Sequence, residues 1–181
     1  MPYTTSMKPL ITLLPLLFLT TLTYSQKQYV WCPESIKVSA RNNLPTASVR
    51  LLITDGRMIA DKTRGDCDIA VFENGFLAIL KQAWPNSSAY TGTDGKEEVY
   101  INVIVEEHHT NFFPSLWIGY SKLNVRIKDQ RGGEVKEYTK QIAVERKSGN
   151  ALGRENGKRA LEKAYSDAIS ELLAEITKDL T

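Results

Sequence analysis

The chain is 181 residues long, and its 23 lysines and arginines nearly cancel its 21 aspartates and glutamates. No strongly one-signed block is present, so the electrostatic footprint of a nucleic-acid-binding protein is missing. Charged residues make up 24% of the chain, an ordinary share for a globular protein.

The first element is an export signal. Lys8 is the only charge before the apolar run Pro9 to Leu22, which is rich in leucine. The run passes into Thr23, Tyr24, Ser25 and Gln26. A positive start, a short apolar core and a small-residue exit make up a cleavable secretory signal peptide over residues 1–25. A membrane span needs about 20 apolar residues, and this run is shorter. Cleavage after Ser25 leaves Gln26 as the first mature residue. Met7 and Lys8 would also begin such a signal well, so the start lies at Met1 or Met7. A lipid anchor needs a small residue before the modified cysteine, and Trp31 precedes Cys32. The expected product is therefore soluble, periplasmic or secreted, with no transmembrane span.

The remaining 156 residues suit one domain, and a chain of that size buries about 68–70% of its unfolded surface. Residues 26–47 form a polar lead-in, with Asn42, Asn43 and Pro45 marking a turn. Cys32 and Cys67 either pair in the oxidising compartment or stay as two separate buried thiols. Pairing would close a 35-residue loop, worth about 3–4 kcal/mol on the chain-entropy model.

The domain proper is expected over residues 48–181. Val49, Leu51 and Ile53 alternate with Arg50, Leu52 and Thr54, which predicts a strand ended by Asp55-Gly56. Ile69, Phe72, Phe76, Ile79, Leu80, Ala83 and Trp84 recur at helical spacing. Asp66 or Asp68 can cap that helix and Pro85 stops it. Gly75 within it costs roughly 1 kcal/mol against alanine. From Val99 the period becomes two. Val99, Ile101, Val103 and Val105 face one way; Tyr100, Asn102, Ile104 and Glu106 face the other. A second strand follows from about Leu116 to Lys128, and a third from Glu134 to Arg146 after the tight link Asp129–Gly133. Leu161, Ala164, Tyr165, Ala168, Ile169, Leu172, Leu173 and Ile176 form an apolar stripe on a last helix, from about Ala151 to Lys178. The order β-α-β-β-β-α predicts a two-layer α+β domain: an antiparallel meander with an additional N-terminal strand, and helices packed on one face.

Two local patterns carry a resemblance. Asp55-Gly56-Arg57 is a D-x-R at a strand end. Asp129, Gly132 and Glu134 form a D-x-x-G-x-E turn between paired strands. With the C-terminal amphipathic helix, these resemble the YajG family of bacterial envelope lipoproteins over Ser48 to Leu180. The missing lipidation site departs from that family. The resemblance implies an envelope compartment and an α+β fold, and transfers no catalytic residue.

Candidate sites are few. Glu106, Glu107, His108 and His109 are the densest metal-capable group. On a regular strand they place two ligands on each face, where zinc wants three or four. A charged strand end is the plainer reading, and no metal is expected. Asp61, Asp66 and Asp68 do not fit the spacing of a calcium loop and read as loop charges and a helix cap. Asn86-Ser87-Ser88 matches a glycosylation sequon by chance. Phe112, Phe113, Leu116 and Trp117 lie between two strands. They form either an exposed partner-contact loop or a plug for the end of the core.

There is no Gly-x-Ser-x-Gly elbow and no glycine-rich phosphate loop. No catalytic residue and no cofactor are expected. The reading is a non-enzymatic interaction or accessory module of the cell envelope, whose partner is another envelope protein. The alternatives are a small-molecule or lipid-binding periplasmic protein and, third, a hydrolase with an unrecognised site.

Overall fold

A computed structural model of the protein describes residues 27–34, 36, 38, 48–59, 63–92, 95, 98–113, 116–149 and 153–180. The signal-peptide region, Gln26 and the turn at 42–45 lie outside these residues. The elements are β1 (Gln28–Tyr29), β2 (Ser48–Asp55), α1 (Ile69–Ala83), β3 (Ser88–Ala89), β4 (Glu98–Phe113), β5 (Leu116–Asp129), β6 (Lys136–Gly149) and α2 (Arg154–Leu180).

The strands form one six-stranded sheet in the order β3-β2-β4-β5-β6, with β1 paired to the far half of β4. β4, β5 and β6 are the expected antiparallel meander. β2 lies parallel to β4 along its whole length, Ser48 opposite Glu98 and Asp55 opposite Val105. The sheet is therefore mixed. A parallel neighbour requires a crossover, and α1 supplies it. The domain is α+β, with α1 and α2 on the same sheet face. There Phe72 of α1 meets Tyr165 of α2 edge-on at 5.3 Å.

Period-two patterning explains the core. Val49, Leu51 and Ile53 of β2, Val99 to Val105 of β4, Leu123 to Ile127 of β5, and Ile142 and Val144 of β6 all point under the helices. The stripe of α2 from Ala164 to Ile176 closes over them. Asp68 caps α1, its carboxylate accepting the Ala70 N–H at 2.9 Å. Gly75 does not break α1. A Cβ there would lie 3.0 Å from the Ile36 side chain, so the glycine lets the N-terminal segment lie against the helix.

Two findings differ from the sequence reading. Phe112, Phe113, Leu116 and Trp117 do not lie between the strands but within them. The ladder continues to Phe113 and resumes at Leu116, with Phe112 opposite Trp117. The lead-in also takes part in the fold. Gln28 and Tyr29 pair with Asn111 and Thr110, and Val30 is buried in the core.

Candidate functional site

The hairpin tip carries a cluster of rings. Trp117 is 5% exposed and plugs the core, whereas Phe112 beside it is 40% exposed. Their ring centres lie 4.9 Å apart. Tyr29 meets Trp117 edge-on at 5.2 Å and stacks on Trp31 at 5.6 Å. A Cβ on Gly157 in the first turn of α2 would come within 2.8 Å of the Trp117 ring, so only glycine fits there. Phe113 and Leu116 are half-buried. The four expected residues thus divide: Trp117 is core, Phe112 is the exposed ring, and the other two lie between.

A disulfide joins Cys32 to Cys67, with Cα atoms 4.9 Å apart. It sits among main-chain ties. The Val30 N–H donates to Arg64 and the Arg64 N–H to Gln28, at 2.9 and 2.8 Å. The Asp55-Gly56-Arg57 motif explains part of this anchoring. Arg57 grips both Asp55 oxygens at 2.8 Å and donates to the Cys67 carbonyl at 2.7 Å. The pair holds the Asp55 carboxyl below its ordinary pKa, chiefly through that hydrogen bond. The same device recurs at Asp129-Gln130-Arg131. Arg131 grips Asp129 at 2.9 and 2.8 Å and donates to the Leu180 carbonyl at the end of α2. One strand-end arginine thus secures the approach to α1, and the other the exit of α2.

The Glu106–His109 group does not converge. A bulge between Val105 and Glu107 shifts the facing of β4 by one residue. His108 therefore turns into the core, between Phe72 and Tyr165, where its Nε2 lies 2.9 Å from the Trp31 carbonyl. Burial lowers its pKa to about 4. Tyr165 beside it is pushed well above its ordinary value by burial alone. His109 points the other way and stacks on Tyr120 at 5.1 Å. Glu106 is engaged by Lys122 at 2.9 Å and by Asn124. Among the described residues no group of three or more potential ligands could hold a metal ion. Asp66 and Asp68 serve main-chain N–H groups of Cys67 and Ala70. Asp61 lies outside the described residues.

The helix-free face of the sheet holds a cleft of about 360 Å³ that sequence reasoning missed. Ladder register builds it in two rows. Arg50, Tyr100, Lys128 and Glu137 stand side by side across β2, β4, β5 and β6. Leu52, Asn102, Arg126 and Thr139 form the next row. Arg50 is pinned by Glu98 at 2.9 Å and by the Ser88 hydroxyl at 2.7 Å. Tyr90 meets Tyr100 edge-on at 5.9 Å, and the Lys128 ammonium lies 5.7 Å from the centre of the Tyr100 ring. The only sequence signal was that these residues occupy the polar phase of their strands.

No family model matches the chain, and no curated protein matches it. Solved structures do resemble it. A hypothetical protein, CT253 from Chlamydia trachomatis, superposes with a TM-score of 0.50 at 12% identity, covering 74% of this chain and 96% of that one. A PelC dodecamer subunit from Paraburkholderia phytofirmans gives a TM-score of 0.44 at 10% identity, covering 77% and 93%. Lipoprotein GNA1162 from Neisseria meningitidis gives 0.38 at 9% identity, covering 73% and 99%. The first of these supports the fold alone. No described helix is long and apolar enough to cross a membrane.

Proposed function

We propose that this protein is exported to the cell envelope, periplasmic or secreted, and acts there as a non-catalytic interaction module whose partner is another envelope protein. Export is supported by the leader pattern of residues 1–25 together with the Cys32–Cys67 disulfide, because such bridges persist in oxidising compartments. The resemblance to the YajG family favours the same compartment.

The observation that carries the contact role is Phe112. It is an exposed ring standing on a rigid bed of Trp117, Tyr29 and Trp31. Aromatic side chains on rigid support suit the centre of a protein interface. Placing a photo-crosslinking residue at Phe112 or at Glu171 in the native host tests this. A discrete heavier species from the Phe112 site, absent from the Glu171 site, is expected. Identical patterns from the two sites would remove the contact role.

A further inference from the structure

Two cations of the cleft on the helix-free face have no ion-pair partner among the described residues. Arg50 is taken by Glu98 and Lys122 by Glu106. Arg126 and Lys128 enter none of the ion pairs among the described residues. They are two residues apart on β5 and so point the same way, roughly 7 Å from each other along the strand. Lys128 is held in place by the Tyr100 ring and, with the Gln130 carboxamide turned to satisfy its own hydrogen bonds, by that oxygen at 2.8 Å. Among the described residues that line the cleft, Glu137, beside Lys128 in the ladder, is the one acid, and it stands at the β6 rim.

Apolar and polar groups are arranged around these two charges. Leu52, exposed on β2, and the edge-on pair of Tyr90 and Tyr100 line one side. Asn102 and Thr139 flank Arg126 on either side in its row. We infer that this cleft is a binding site for a small ring compound bearing one anionic group. The ring would lie against Tyr100 and Leu52, and the anion between Arg126 and Lys128. The volume of about 360 Å³ lies in the range of small-molecule sites. The chemistry is shared by aryl phosphates and carboxylates and by acidic sugars. The inference is independent of the hairpin-tip contact.

The test is a titration of the exported protein, followed by amide NMR shifts. The probes are 4-nitrophenyl phosphate, methyl glucuronide, neutral 4-nitrophenyl glucoside and inorganic phosphate. Saturable shifts at Tyr100, Asn102, Arg126 and Lys128 are expected with one or both anionic ring compounds, and the tighter one identifies the ring. Arg126→Ala is expected to weaken that binding about tenfold or more, since it removes a charge-assisted hydrogen bond to the anion. Arg126 is exposed, so thermal stability should stay unchanged. Lys128→Gln should weaken binding in the same direction. Saturation by neither anionic ring compound would overturn the inference. So would equal affinity in Arg126→Ala, or inorganic phosphate binding as tightly as the ring compounds.

Discussion

Gly119 of β5 lies directly beneath the backbone of Ala160 on α2: a Cβ at Gly119 would sit 2.5 Å from the Ala160 carbonyl carbon and oxygen. The obstacle is main chain, which cannot swing aside as a side chain would. The start of α2 therefore touches the sheet at a place where only a hydrogen fits. Gly119→Ala should push the helix away from β5. Overpacking of this kind costs about 1–3 kcal/mol, and a domain this size loses about 2–4 °C in Tm per kcal/mol. An unchanged melting temperature would mean that the helix accommodates the methyl group without cost.

Leu172 is fully buried in the α2 stripe, and Glu171 next to it is exposed. Leu172→Ala should cost about 2–5 kcal/mol, a large part of the roughly 5–15 kcal/mol that holds a domain. Glu171→Ala should change little. Comparing the two melting temperatures on the monomer checks this; similar values would mean that the stripe is not part of the core.

The disulfide closes a 35-residue loop. Its loss is expected to cost about 2–5 kcal/mol. Denatured, non-reduced protein from its own compartment should titrate no free thiol. Reduction, or the paired change of Cys32→Ser with Cys67→Ser, should lower the melting temperature. Two titratable thiols in the native material would rule the bridge out.

His108 gives the fold a pH dependence. Burial lowers its pKa from 6.5 to about 4, against a weaker raising effect of the Trp31 carbonyl; Arg57 and His109 add to the lowering. The unfolded chain therefore binds a proton that the folded chain refuses. Stability is fully present above pH 6.5 and falls as pH drops towards about 4. His109, lowered by the same cause, acts in the same direction. Urea midpoints measured across that window should decline, and His108→Gln should flatten the decline. A flat profile in the unmodified protein would contradict it.

Much of the fold was legible because burial writes itself into period. Val99 to Val105 and Leu161 to Ile176 announced a half-buried strand and an amphipathic helix, and both are found. The parallel pairing of β2 with β4 was not legible, because strand order depends on which edge accepts a strand across a crossover. The bulge at Val105/Glu107 was hidden for a related reason. One extra residue inverts the facing of everything after it, so His108 is buried although uninterrupted alternation would point it outward. The anionic-ligand cleft was least visible. Arg50, Tyr100 and Lys128 meet only through ladder register, with long stretches of chain between them.

The staple at Cys32 also decides how the molecule carries load. β1 is two residues long, and tension applied through the leader end would peel it from Thr110 and Asn111 first. The force would then reach Cys32 and cross the sulfur bridge to Cys67, one residue before the cap of α1. Once the ties of Gln28 and Val30 to Arg64 have parted, the 34 residues between the cysteines, with all of β2 among them, stay out of the covalent force path. A chain pulled by its N-terminus would therefore feel the pull at α1 and leave the parallel strand at rest.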